Sequence, residues 1–207
     1  MSAELFAGSI IILLFSIILH EVMHGLAALY FGDHTAERAG RLTLNPLPHI
    51  DPIGSILLPA LGLIFGGVIF GWAKPVPVNP LNFRDIRTGE LVVSLAGVAA
   101  NLVLAVLAAI LFHLFGNSLF YPIFGDLMTT VVEFNLLLFV FNLIPIPPLD
   151  GSKVLMVFLP ANLEITYRRL EQYGFMILML VFFTPLGIPI RILIFWLRNF
   201  LRSILGV

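Results

Sequence analysis

The first apolar run of the sequence extends from Leu5 to Phe31. It is long enough to cross a lipid bilayer, which requires about 20 predominantly apolar residues. The run contains HEVMH, in which His20, Glu21 and His24 lie within little more than one helical turn. Each ionisable group in a membrane segment costs about 2.5–3.5 kcal/mol on insertion scales, so such groups usually serve a function. The fold must therefore provide a setting for these three side chains.

The composition indicates an integral membrane protein. The 207 residues are 59% hydrophobic and 11% charged, with a mean hydropathy of +1.05, whereas ordinary soluble domains carry about 25% charged residues. The net charge of -1 and the lack of a basic stripe argue against a nucleic-acid partner. Because the sequence has no cysteine, any bound metal must be held by His, Asp or Glu.

Six apolar segments predict an all-α integral membrane protein, a polytopic helix bundle forming one membrane-embedded domain over residues 1–207. In the polar stretch after the first segment, AGRLTL alternates as a short β-strand does, so we expect a short β-like segment there. The proline-rich KPVPVNPLNF cannot form regular helix. The apolar segments cover residues 5–31, 53–72, 91–115, 127–146, 173–183 and 188–205.

Lysine and arginine follow the first, second and fourth segments but are missing from the loop after the third, GNSLFYPIFGD. If the basic loops are cytoplasmic, the first and fourth helices run parallel, from outside to inside. The segment from Ile53 to Trp72 then has basic residues beyond both ends, which predicts that it re-enters on the cytoplasmic side. The alternative is an ordinary transmembrane helix. We expect a multi-pass protein of the cell membrane.

The HEVMH sequence has the spacing of a metal site. His20 and His24 are four residues apart, so they project from one helix face and can share one zinc ion. Glu21 lies beside them and could accept a proton from a water molecule that the metal activates. The alternative is a buried His–Glu packing network without metal.

Asp150 is the best candidate for a third ligand. It follows three prolines in FNLIPIPPLDGSK, which break the fourth helix near the predicted cytoplasmic side. Because the first and fourth helices are predicted to be parallel, Asp150 and the two histidines should lie at similar depth. Alternatively, Asp150 caps the following helix, to which Lys153 would belong.

Three further polar residues lie in apolar helices. Asn142 could hydrogen-bond a substrate backbone or the oxyanion of a reaction, or it could serve helix packing. For Asn101 we expect packing or hydrogen bonding between helices. Glu133 lies near the predicted outer boundary, where it would be solvated.

The last apolar segment carries a basic stripe. Arg191, Arg198 and Arg202 are spaced so that they share one face of a helix. This amphipathic helix either lies along the cytoplasmic interface or forms the last membrane crossing with snorkelling arginines.

In the order HEVMHG, AGVAANL and FNLIPIPPLDGSKVL, these motifs resemble the site-2 protease family of intramembrane zinc metalloproteases. GRLTLNPLPHIDPIGS and FGWAKPVPVNP resemble its compact branch, without PDZ or CBS modules. The resemblance implies one Zn²⁺ per chain bound by His20, His24 and Asp150, with Glu21 as catalytic acid and base. It also favours a functional role for Asn142. Val98 stands where the family usually has proline, which raises the question of the local helix geometry.

These observations predict a zinc metalloendopeptidase that cleaves transmembrane or membrane-proximal segments of membrane proteins. Its partners would be the lipid bilayer and a substrate with a transmembrane helix, and its active site would lie toward the cytoplasmic side. The alternative is a membrane metal-ion transporter or sensor that uses the same His and Asp ligands. A transporter needs ionisable groups along its whole path, whereas the outer half offers little beyond Glu133. An inactive scaffold would need none of these residues.

Overall fold

The computed structural model describes residues 2–57, 60, 64, 72–115 and 122–207, and no β-strand occurs in these ranges. Eight α-helices account for most of the described chain. They are α1 (Ala3–Tyr30), α2 (Thr35–Arg38), α3 (Ile86–Phe115), α4 (Pro122–Asn142), α5 (Asp150–Phe158), α6 (Ala161–Leu170), α7 (Gly174–Phe183) and α8 (Ile188–Leu205).

Three of these helices are long and apolar enough to span a membrane: Glu4–Tyr30, Ile86–Phe115 and Ile123–Asn142. This confirms the prediction of a polytopic helical membrane protein. Contacts between the helices give their relative directions. His24 contacts Val93 while His20 contacts Asn101, so α1 and α3 are antiparallel. Together with the antiparallel pair of α3 and α4, this makes α1 and α4 parallel, as the positions of the basic loops predict.

The bounds of α3 and α4 differ from those of the apolar runs. Helix α3 begins five residues before Leu91, because the Asp85 side chain accepts hydrogen bonds from the backbone N–H and hydroxyl of Thr88. Helix α4 ends at Asn142, just before the proline-rich break that starts at Pro145.

The polar stretch after α1 is held by buried side chains rather than by strand pairing. Residues 42–44 form bends, so the expected β-like segment is not a strand. Buried Arg41 donates from Nη2 to the Lys74 carbonyl at 2.7 Å, and buried His49 donates from Nε2 to the Thr43 carbonyl at 2.9 Å. Asp51 caps the next helical turn (Pro52–Leu57) by accepting from two backbone N–H groups.

The two ends of the segment from Ile53 to Trp72 lie side by side. The Trp72 N–H donates to the Gly54 carbonyl at 3.2 Å, and the Ser55 hydroxyl donates to the Trp72 carbonyl at 2.8 Å. A segment whose ends are hydrogen-bonded to each other begins and ends at the same level, as the re-entrant interpretation requires. Residues 58–59, 61–63 and 65–71 of this segment lie outside the described residues.

Helix α8 packs antiparallel along α4. Ile194, near its first half, contacts the cluster that contains Val140, whereas Leu205 at its end packs near Val132. This packing favours a last crossing over an interfacial helix.

Glu133 is paired, which differs from the expected solvated position. Its carboxylate lies 2.7 Å from Arg202 Nη1 and 3.6 Å from Arg198 Nε. The reason is that α4 begins at Pro122, so Glu133 is near the middle of the helix rather than at its boundary. The ion pairs link α8 to α4 at that depth.

Single cysteines test this topology, because the sequence has none of its own. Cysteines introduced at Arg38, Arg87 and Lys153 should react with a membrane-impermeant thiol reagent from one side of the membrane. Cysteines at Ser118 and Val207 should react from the other side, because α3 is long and apolar enough to cross and α8 runs antiparallel to α4. Labelling of Arg38→Cys and Arg87→Cys from opposite sides would show that the segment between them crosses fully.

Candidate metal centre

The two histidines of α1 face the interior of the helix bundle. His20 and His24 are 7% and 9% exposed, and their Nε2 atoms lie 2.9 Å apart. The four-residue spacing places both rings on the face of α1 that packs against α3. Two imidazole nitrogens therefore meet at one buried point, as the sequence spacing predicts.

The other nitrogen of each ring is hydrogen-bonded to a fixed acceptor. His24 Nδ1 lies 2.6 Å from the carbonyl oxygen of Val93, which can only accept, so this nitrogen carries the proton. His20 Nδ1 lies 2.7 Å from Asn101 Oδ1. With protons on both Nδ1 atoms, the neutral rings present the lone pairs of Nε2 to the shared point.

Asp150 brings a carboxylate to the same point. Its Oδ2 atom lies 3.2 Å from the Nε2 atom of each histidine, although 130 and 126 residues separate them in sequence. The alternative role as a helix cap is not what the structure shows: Asp150 is the first residue of α5, Leu149 is the capping residue, and no side chain caps this end.

Gly151 makes the position of Asp150 possible. A Cβ atom at this residue would overlap the Leu143 carbonyl oxygen and would lie 2.7 Å from that of Ile144. Both are backbone atoms that cannot move aside easily. The chain after the proline break can therefore fold back onto the end of α4 only with glycine here.

The three groups fit a metal ion. Their ligand atoms all lie within 4.8 Å of one another, and Asp150 Oδ2 is buried without receiving a hydrogen bond. Two nitrogen lone pairs and a carboxylate oxygen repel one another at such distances unless a cation lies between them. A set of two histidines and one carboxylate is typical of catalytic zinc sites, which keep one position open. We call His20, His24 and Asp150 the ligand cluster.

Gly97 lies directly behind the histidines and belongs to the AGVAANL motif, although the motif alone gave it no role. A Cβ atom at this residue would be 2.5 Å from His24 Nε2 and 2.8 Å from His20 Cε1. Its signal in the sequence is only the run of small residues AGVAA. Val98, where the resembling family has proline, is buried in an uninterrupted α3.

A chain of hydrogen bonds extends from His20 through three helices. Asn101 Nδ2 donates to Asn135 Oδ1 at 2.9 Å, and Asn135 Nδ2 donates to the Ser16 hydroxyl at 2.9 Å. Both asparagines are fully buried. We call Asn101, Asn135 and Ser16 the polar relay. It links α1, α3 and α4, as expected for interhelical hydrogen bonding, and it also orients the His20 ring.

Glu21 faces an extended segment, residues 72–79. Its Oε2 atom accepts a hydrogen bond of 2.7 Å from the backbone N–H of Val76. The segment contains prolines at positions 75 and 77, which explains why it is extended rather than helical. The sequence predicted that the segment is not a helix, but not that it binds Glu21.

The ligand cluster and Glu21 open into a cleft of about 480 Å³. Val76 and Val78 of the extended segment form one wall, and Asn142 lies on another. The Asn142 side chain donates from Nδ2 to the Leu138 carbonyl at 3.0 Å. The structure thus brings together every residue that the sequence proposed for the site.

An ion pair lies at the rim of this cleft. Arg168 Nη2 is 2.8 Å from both carboxylate oxygens of Glu90, and Arg168 Nε is 3.1 Å from Glu164. This pair joins α6 to the first turns of α3. Lys153 also lines the cleft, so charged groups besides the ligand cluster and Glu21 border it.

Comparison with known proteins gives the family. A family model described as Peptidase family M50 matches residues 124–185. The Bacillus subtilis protein named "Putative zinc metalloprotease YwhC" is 39% identical over 184 residues, which are 86% of this chain and 81% of that protein. The Mycolicibacterium smegmatis protein named "Putative zinc metalloprotease Rip2" is 37% identical over 173 residues, which are 83% of this chain and 65% of that protein.

No solved structure matches this chain. The similarity to YwhC covers most of both proteins, and the family model covers nearly all of α4, the proline break and Asp150. This confirms the resemblance to the site-2 protease family drawn from the sequence motifs. The chain belongs to peptidase family M50.

Proposed function

We propose that this protein is a zinc-dependent intramembrane endopeptidase that cleaves transmembrane or membrane-proximal segments of other membrane proteins. The observation that carries the proposal is the convergence of three ligand atoms from α1 and the start of α5 on one buried point beside Glu21. Helix α1 is long and apolar enough to span a membrane, so the site lies within a membrane bundle.

The residues divide the chemistry among them. His20, His24 and Asp150 hold Zn²⁺, which supplies Lewis-acid activation of the scissile carbonyl and of the attacking water. Glu21 takes the proton of the attacking water and delivers it to the amine nitrogen of the leaving group. Asn142, on the cleft wall, donates a hydrogen bond to the substrate backbone or to the developing oxyanion.

A substrate helix must unwind before its peptide bonds can reach the cleft. The extended segment and the proline break at residues 145–148 both leave backbone that is not part of a helix or sheet. An unwound substrate could lie along these edges, in the way that an extended peptide adds as a strand to an exposed sheet edge in other proteins. On the predicted topology, water reaches the cleft from the cytoplasmic side of the cell membrane.

A metal transporter or sensor with the same ligands is the rival function. The polar relay beyond His20 consists of Asn101, Asn135 and Ser16, which are neutral and are weak ligands for cations. Glu133, the acidic group at mid-depth in α4, is engaged by two arginines. These features favour proteolysis, and metal-dependent cleavage of a co-expressed single-span protein would separate the two functions.

Metal content tests the ligand cluster. Three protein ligands and an open position predict about one zinc ion per purified chain. His20→Ala and Asp150→Ala should each lower zinc occupancy strongly, because each removes a ligand, whereas Glu21→Gln should retain it. Elemental analysis of the purified protein measures this directly. Full zinc occupancy and activity in Asp150→Ala would mean that Asp150 is not a ligand.

Replacement of Glu21 by glutamine separates chemistry from folding. In Glu21→Gln, the side-chain amide oxygen can still accept the Val76 N–H bond, but the amide cannot take a proton from water. General acid–base catalysis contributes typically about 10²–10⁴-fold, so cleavage should fall at least ~100-fold while zinc content and melting temperature are retained. Glu37→Gln, at an exposed carboxylate in α2, is the matched control and should cleave normally. Normal cleavage by Glu21→Gln would disprove this mechanism.

The polar relay should set zinc affinity through His20. Asn101→Ala removes the acceptor for Nδ1–H and should weaken zinc binding about 10–100-fold, as is typical for partners of metal-binding histidines. Asn101→Asp keeps that acceptor and should retain more affinity. Competition with a chelator gives the affinities. If Asn101→Ala and Asn135→Ala lower the melting temperature equally and leave zinc affinity unchanged, the relay serves helix packing alone.

A further inference from the structure

The extended segment is fastened to the rest of the fold by side chains from distant parts of the sequence. It has no neighbouring strand in the described ranges, and its prolines at positions 75 and 77 have no N–H to donate. Backbone hydrogen bonds hold the start of the segment, where the Trp72 and Lys74 N–H groups donate to the Gly54 and His49 carbonyls at 3.2 and 2.9 Å. Three side-chain contacts also fix its position beside the cleft. They are Arg41 Nη2 to the Lys74 carbonyl, Val76 N–H to Glu21 Oε2 and Asn79 N–H to Asp33 Oδ2, each 2.7 Å long.

Asp33 makes the last of these contacts along the segment, and the residue is fully buried. Oδ2 accepts from the Asn79 N–H, and Oδ1 accepts from Asn82 Nδ2 at 2.7 Å and from the N–H and hydroxyl of Thr35. Burial would raise the pKa of Asp33, but these hydrogen bonds hold it below its ordinary value. Asp33 lies beyond the membrane-spanning part of α1, and it is ionised at neutral pH.

A carboxylate suits this position because both of its oxygens must accept. An asparagine has one acceptor and one NH₂ group. If its oxygen faced Asn79, its NH₂ group would face the donors of Thr35 and Asn82. If it turned over, the NH₂ group would face the Asn79 N–H. Either orientation places the NH₂ group of the buried residue 33 against another donor, which is unfavourable.

Asp33 is also tied closely to α1, which carries Glu21. The Asp33 N–H donates to the Ala28 carbonyl at 2.9 Å, so the residue extends the end of the helix. Between Glu21 and Asp33, Gly25 lets the segment approach closely, since a Cβ atom there would be 3.0 Å from Val76 Cγ1. One rigid helix thus fixes both the catalytic carboxylate and the wall opposite it.

We infer that Asp33 is a positioning residue for cleavage: through Asn79 and Asn82 it holds the extended segment at the place where the segment faces Glu21 and receives substrate. The inference rests on the proposed peptidase function. Asp33 does not line the cleft and touches neither substrate nor metal. Its loss should therefore affect substrate binding more than zinc binding.

Asp33→Asn tests this inference in the purified full chain. The probe is a quenched fluorescent peptide made from a single-span test protein that the wild type cleaves. The variant should raise KM about tenfold or more, as expected for a lost hydrogen bond to a charged group, with a smaller change in kcat. Zinc content should equal that of the wild type. Asp85→Asn, at an exposed carboxylate outside the cleft, is the matched control and should keep the wild-type KM.

An exchange of side chains distinguishes positioning from general stability. In Asp33→Asn/Asn82→Asp, the NH₂ group of residue 33 can donate to the new carboxylate while its oxygen accepts from Asn79. The double variant should recover most of the lost affinity for the peptide. Loss of zinc and of melting temperature in step with activity, without recovery in the double variant, would show that Asp33 is only structural.

A labelling experiment reports the segment independently of activity. A cysteine at Val78 would be the only one in the sequence, and it should react faster with a water-soluble thiol reagent when Asp33→Asn is added. Equal labelling rates together with an unchanged KM would overturn the inference. If the wild type binds zinc but cleaves no test protein, the proposed function fails, while faster labelling would still show that Asp33 positions the segment.

Discussion

The unfavourable approach of three electron-rich atoms in the helix bundle is the constraint on which the rest of the structure depends. Two imidazole nitrogens and a carboxylate oxygen lie within about 3 Å of one another, with little access to water. The bundle must therefore hold them in place until a cation offsets their repulsion. Val93 and Asn101 fix the rings, and Gly151 lets the chain after α4 bring in Asp150. Packing thus positions the ligands in advance of the metal.

Helix α1 carries the groups of the site whose relative positions must be fixed. It supplies His20 and His24 to the ligand cluster and Glu21 to the cleft, and Asp33 at its end fastens the opposite wall. In a bundle without hydrophobic driving force between helices, close packing and hydrogen bonds hold such an element. The polar relay and the small residues of α3, including Gly97, provide both.

The sequence predicts the parts of this arrangement that have a local signal. The apolar lengths and basic loops predict the spanning helices and their directions, and the spacing of His20 and His24 predicts their common face. The proline break predicts where α4 ends, and it led to Asp150. The strand expected near Arg41 is not found, because a buried arginine and histidine hold that loop through backbone carbonyls. The alternation of polar and apolar residues in AGRLTL does not reveal these contacts with distant backbone carbonyls.

Other parts of the site have no local signal, because they exist only through contacts between distant segments. The Val93 carbonyl is a backbone atom, so no residue type marks it as the partner of His24. The Val76 N–H and Asp33 belong to loops whose composition is typical of turns, and only the folded chain shows that both face α1. Glu133 was expected near the outer membrane boundary because the apolar run around it begins at Leu127. Its helix begins earlier, at Pro122, so Glu133 lies near the middle of the helix.

The contrast between the two sides of the cleft suggests how a membrane peptidase can be both rigid and accessible. On one side, the ligand cluster is held by α1, α3 and the start of α5 and is linked to the neutral relay. On the other side, the extended segment has prolines that cannot donate. Beyond its backbone hydrogen bonds at Trp72 and Lys74, it is anchored by the side chains of Arg41, Glu21 and Asp33. Few buried contacts make a segment easier to displace. Movement needed to admit an unwound substrate would therefore occur in this wall, while the histidines and Asp150 keep their geometry.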